Sequence, residues 1–200
     1  NNNPEVISRL LDAGAELETR DKELNQTPLA FAALGNTNPE VTAILIEAGA
    51  DVDARMPGGS TALMTAASFN KSPEVSSLLL KAGADVRARN EYGITVLMQA
   101  AYGNSDMPEL ATILLEAGAD VNAKGERGDT ALILASTFEA KPRVIAVLLK
   151  AGANVNAQDD DGKVDVDEFL ADFVAINDAA CQRDAQSLKV TVESLGQKVK

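Results

Sequence analysis

Tryptophan and histidine are absent from this chain of 200 residues; cysteine occurs once, tyrosine twice and phenylalanine five times. Without histidine there is no Ser-His-Asp or Cys-His catalytic arrangement, and no His-ligated zinc or haem. The single Cys181 excludes an internal disulfide and every cysteine-cluster metal site. It reads as a small apolar residue, buried or half-buried, rather than a reactive thiol. No apolar run approaches the roughly 18 residues of a membrane span. Basic residues are fewer than acidic ones, 18 against 30, giving a net charge of −12. That balance argues against nucleic acid and anionic membranes as partners. Nothing implies a cofactor. Hydrophobic residues nevertheless make up 46% of the chain while aromatics make up 4%. The core must therefore be built from alanine, leucine and valine. The chain opens Asn-Asn-Asn-Pro with no signal-like segment. It reads as a trimmed fragment whose targeting is not visible, with the cytoplasm favoured and a secreted or periplasmic location left open.

What is present is a repeat. Ala-Gly-Ala begins at Ala13, Ala48, Ala82, Ala117 and Ala151, always after an apolar stretch such as Leu-Leu-Asp or Leu-Ile-Glu, at intervals of 34 or 35 residues. A second block follows each of the first four: Thr27-Pro28-Leu29, Thr61-Ala62-Leu63, Thr95-Val96-Leu97 and Thr130-Ala131-Leu132. Three of these run into Ala32-Ala33, Ala66-Ala67 and Ala100-Ala101, and the fourth into Ala135-Ser136. Small pairs at a fixed place allow helices of adjacent repeats to approach closely, so that neighbours supply the core that one repeat cannot bury alone.

Proline, acid and glycine punctuate each unit. Pro4, Pro39, Pro73, Pro108 and Pro142 each open a helix, where the missing N–H costs nothing. Asn3, Asn38 and Ser72 stand before three of them as N-caps, and Glu5, Glu40, Glu74 and Glu109 place negative charge in the first turn. Gly14, Gly49, Gly83, Gly118 and Gly152 stop these helices in the left-handed conformation. Asn25, Gly59, Gly93 and Gly128 mark turns before the Thr block.

These residues resemble the ankyrin repeat over roughly residues 4 to 166, down to Gly-Ala-Asp-Val-Asn-Ala at Gly118 to Ala123. The resemblance implies an all-α, ankyrin-repeat solenoid of stacked antiparallel helix pairs with hairpin-like finger loops. The units are then a half repeat with a second helix only (1–15), full repeats at 16–50, 51–84, 85–119 and 120–153, and a divergent, enlarged capping repeat at 154–200. A missing first helix at the start suggests more chain upstream. Two features depart from the family. Its usual His after Thr-Pro-Leu is replaced by Ala30, Met64, Met98 and Ile133. The loop between the helices is lengthened, as at Asn36-Thr37-Asn38-Pro39, in the style of bacterial ankyrin sequences.

In the capping repeat, 165–176 reads as a first helix and about 179–195 as a second, with Leu188 to Val192 alternating enough for a strand instead. Phe169 and Phe173 read as cap residues and Phe31 as packing within the solenoid. The stretch from Ala157 to Glu168 also resembles an EF-hand calcium loop, with Asp159, Asp161, Asp165 and Glu168 as ligands. Position 1 would be Ala157 and the entering helix would overlap the Gly152 stop, so an acidic finger turn is the preferred reading. Asn25-Gln26-Thr27 and Asn70-Lys71-Ser72 fit the glycosylation pattern, which matters only in a secreted protein. The many carboxylates come with no apolar pocket to raise a pKa, so they read as a solvated face and no catalytic residue is nominated.

The resemblance implies protein binding rather than catalysis, at the finger tips and the inner face of the first helices. Hot spots favour Tyr, Trp and Arg. Tyr92 and Tyr102 are accordingly the expected anchors, supported by Met56, Phe69, Arg89 and Arg127. The expectation is a monomeric, non-catalytic module for a protein partner. The alternative is a structural scaffold segment of a larger repeat protein.

Overall fold

The computed structural model describes residues 3–35, 38–70, 72–103, 106–137 and 141–160. Among them the chain is helical, with one isolated antiparallel bridge, Arg89 to Thr95, inside a finger loop. The helices are α1 (Pro4–Asp12), α2 (Pro28–Gly35), α3 (Pro39–Glu47), α4 (Ala62–Phe69), α5 (Pro73–Lys81), α6 (Val96–Tyr102), α7 (Pro108–Glu116), α8 (Ala131–Thr137) and α9 (Pro142–Lys150). Thus α2/α3, α4/α5, α6/α7 and α8/α9 are helix pairs, and α1 precedes them alone. First helices stack on first helices (α2 on α4 on α6 on α8), and second helices on second helices from α1 to α9.

Local chemistry explains the boundaries. Each first helix from α2 to α8 is capped by the threonine of its Thr block. The Thr27, Thr61, Thr95 and Thr130 hydroxyls accept from the N–H groups of Ala30, Met64, Met98 and Ile133 at 3.2–3.4 Å. Those four acceptor-facing residues occupy the family's usual His position and are all buried. The Met98 sulfur also takes the N–H of Thr95 at 3.4 Å. Asn3 and Asn38 cap α1 and α3 through the N–H groups of Glu5 and Glu40, both at 3.0 Å. Ser72 does not cap α5 in this way. Its hydroxyl donates to the Glu74 carboxylate, and its N–H is taken by the Asn70 side chain.

The alanine pairs lie between the stacked first helices, where all seven alanines are buried. Leu45, Leu79, Leu114 and Leu148 form the matching row in the second helices, each at most 3% exposed. Phe31 departs from the expectation of solenoid packing. It is 55% exposed and lines an apolar groove of about 520 Å³ with Ile7, Leu34, Val41 and Leu45 at the N-terminal end of the stack. Among the described residues no first helix pairs with α1 there.

The proposed helices and ambiguous strand of the C-terminal cap, Cys181, Phe169 and Phe173 lie outside the described residues, as does Phe138.

Candidate partner-binding surface

The fingers are built by main-chain geometry first. In the third finger Asn90 N–H donates to Ile94 O at 3.1 Å, and its side-chain oxygen accepts from the N–H groups of Tyr92 and Ile94 at 3.0 and 2.9 Å. In the first finger Asp21 plays the same part for Glu23, Leu24 and Gln26. These backbone N–H groups, led by that of Leu24, hold the Asp21 carboxyl below its ordinary 3.8. Glu74 is likewise lowered, by the Ser72 hydroxyl.

Adjacent fingers are then tied to one another. Gly58 O accepts from Glu91 N–H (2.9 Å), Tyr92 O from Glu126 N–H (3.3 Å) and Arg127 O from Asp160 N–H (3.0 Å). Close stacking forces glycine at the turn. A Cβ on Gly59 or Gly93 would lie 3.0 Å from the backbone nitrogen of the next finger, at φ values of +75° and +69°. The first link in this row is missing because Pro57, the equivalent of Glu91, has no N–H to give.

A ladder of arginines reinforces the row. Arg20 Nη1 donates to Asn25 O and Arg55 O (3.1 and 2.9 Å). Arg55 Nη1 donates to Gly59 O and Arg89 O (2.9 and 2.8 Å). Arg89 Nη1 donates to Gly93 O and Lys124 O (3.0 and 2.6 Å). Each guanidinium closes its own finger and clasps the next; charge-assisted bonds of this kind are roughly twice as strong as neutral ones. The three arginines stand at the repeat interval in the sequence, and Arg89, an expected partner contact, belongs to this ladder.

Two of the expected contacts also have roles within the fold. Met56 is 7% exposed, with its N–H on Ser60 O and its carbonyl on Gly59 N–H. Its side chain is buried within the second finger. Arg89 remains on the surface, but its Nη1 is committed to the ladder. The aromatic candidates stand out in the other direction: Tyr92 is 65%, Phe69 59% and Tyr102 51% exposed. Tyr92 sits at a finger tip with its ring beside Gly58 of the preceding finger. Phe69 and Tyr102 end the neighbouring helices α4 and α6, which are packed together and further joined by Ser68 Oγ donating to Gln99 Oε1 at 2.7 Å. Arg127 is exposed at the fourth finger tip. The finger tips and the helix ends are two rows separated by the length of a first helix, about 10 Å for seven residues.

Of the calcium-loop residues, Asp161, Asp165 and Glu168 lie outside the described residues. Asp159 and Asp160 continue the finger row, with Asp159 Cα 3.0 Å from where a Cβ on Gly128 would stand. Among the described residues no helix is long and apolar enough to cross a membrane.

The ankyrin-repeat family model, with three copies, matches residues 1–90 and 66–159. The chain belongs to the ankyrin-repeat family. A search of curated proteins finds no match. Ankyrin repeats are in general protein–protein interaction modules and generally non-catalytic.

Proposed function

We propose that this ankyrin stack binds a protein partner on its concave face, at the finger tips and the ends of the first helices, with Tyr92, Tyr102 and Phe69 as anchors. The observation that carries the reading is the exposure of these three large aromatics in a chain that otherwise uses few. Each leaves half or more of its surface open to solvent. Arg127 borders them at the tip row. The face is preformed: the finger backbones are bonded to one another, and three arginines clasp successive loops. A rigid surface of this kind loses little conformational entropy on association.

Affinity capture from cell extract with wild type and a Tyr92→Ala/Tyr102→Ala double variant tests the assignment. Both side chains are half exposed or more, so the variant should keep its stability within about 0.5 kcal/mol. A hot-spot loss of about 2 kcal/mol per side chain is roughly 30-fold each. The variant is therefore expected to lose the partner that wild type retains. Identical captured sets from the two proteins would refute this face.

A further inference from the structure

The joints of this stack are not equally satisfied. Thr42 in α3 and Ser76 in α5 each stand three residues after the proline that opens the helix, and the two helices pack on one another. Both residues are fully buried, and neither hydroxyl oxygen has a hydrogen-bond partner. At the same place α7 and α9 carry Ala111 and Ile145, equally buried and with no polar side chain to satisfy. Ser77 and Thr112, elsewhere in these second helices, donate to Pro73 O and Pro108 O at 3.1 and 2.8 Å. A buried hydroxyl without a partner has given up water and gained nothing in return, so it weakens the fold where it lies.

The finger side of the same joint has fewer main-chain ties. Later fingers are linked through the N–H groups of Glu91, Glu126 and Asp160, whereas Pro57 holds that place in the second finger and has no N–H. The close-packed turn glycines Gly59, Gly93 and Gly128 give way in the first finger to Asn25, at φ +54°. Side chains still bridge these two repeats, from Arg20 to Arg55 O, Asn70 to Ala33 O, and Glu18 accepting from Asp51 N–H. Buried alanines also pack α2 on α4, so the closed joint is the resting state. The joint between the third and fourth helix pairs is held more firmly. There Lys141 reaches Ala101 O and Tyr102 O, the Asp106 carboxylate accepts from Val144 N–H at 3.0 Å, and Arg143 pairs with Glu109 at 3.2 Å. On the far side of the weaker joint, α1 buries none of its nine residues.

We infer that α1, α2 and α3 unfold together as one block while α4 to α9 stay folded. In a repeat stack each unit touches only its neighbours, so one joint can part without the others. Unfolding of the block returns the Thr42 hydroxyl to water and bares the sides of α4 and α5 that α2 and α3 cover. Phe69, Tyr92 and Tyr102 all lie beyond the joint, so the inference is independent of the binding reading above.

Residue-resolved hydrogen exchange of the 200-residue chain under native conditions tests this. Corrected for intrinsic rates, the wild-type amides of α1, α2 and α3 are expected to exchange on the order of tenfold faster than those of α7 and α9. A Thr42→Val/Ser76→Ala variant, which removes the unpartnered hydroxyls, should slow exchange in the block by roughly tenfold. Thr42→Val alone, inside the block, should slow it by about threefold or more. Ile145→Val, in α9, separates opening of the block from opening of the whole stack. It should speed exchange in α9 by roughly fivefold and leave the block unchanged. Equal protection of α3 and α7 in wild type, or hydroxyl variants that exchange as fast as wild type or faster, would overturn the inference. Ile145→Val speeding the block as much as α9 would overturn it too, since α1 to α3 would then open only with the rest.

Discussion

Leu79→Ala is expected to lower the unfolding free energy by about 2–5 kcal/mol, the range for a leucine removed from a packed core. Leu79 is fully buried, and it lies in α5, which packs on both α3 and α7. Its loss therefore weakens one repeat and two interfaces together. In a solenoid, stability is a sum of repeat terms and nearest-neighbour interface terms, so damage to a central unit has an added consequence. The urea transition should broaden or split as the two sides of the stack uncouple, where wild type unfolds more nearly as one. Leu114→Ala, at the equivalent place in α7 and equally buried, should behave the same way. Leu10→Ala is the control: Leu10 is 52% exposed, and its change should stay within about 0.5 kcal/mol. Denaturation followed by circular dichroism reads all three. A loss below about 0.5 kcal/mol for Leu79→Ala would mean that its row is not the core.

The second large effect belongs to a charged residue. Lys141 is 5% exposed, and its Nζ donates to Ala101 O at 2.7 Å and Tyr102 O at 2.8 Å. These are carbonyls at the C-terminal end of α6, where a helix has no N–H of its own to satisfy them and where positive charge is favoured. The lysine stands just before α9, so one side chain joins the fourth helix pair to the end of the third. Lys141→Met keeps the length and removes the donors. Two carbonyls then lose their partner at about 1–3 kcal/mol each if they stay dry. Removing a buried ammonium also removes its desolvation cost, which offsets part of that. The net loss expected in thermal or urea unfolding is about 1–3 kcal/mol. A Met variant as stable as wild type would show that water replaces the ammonium without cost.

Much of the architecture was legible because each element is marked by residues with one dominant physical reason. Proline opens α1, α3, α5, α7 and α9, threonine caps the first helices, and a left-handed glycine at Gly14, Gly49, Gly83, Gly118 and Gly152 ends the second. The period then stacks them. What could not be read were choices between partners of similar chemistry. Arginine at a loop position can face solvent or the neighbouring loop, and only the path of the next finger shows that Arg55 and Arg89 find carbonyls there. Met56 shares its loop with exposed residues, yet it is buried. Phe31 looks like a core residue by type. Its exposure depends on the helix that would cover it, which is not a property of its own repeat. Lys141 carried no signal at all, since its partners lie 39 and 40 residues earlier.

A protein partner docked as proposed covers Tyr92 at the finger tips and Phe69 and Tyr102 at the first-helix ends. Hydrogen exchange of the chain with and without a captured partner reads this contact. Slowed exchange is expected at the tips around Gly58, Tyr92 and Arg127 and at the helix ends around Phe69 and Tyr102, with α3, α5, α7 and α9 unchanged on their outer sides. Protection confined to those second helices, with the tips and helix ends unaffected, would contradict the claim.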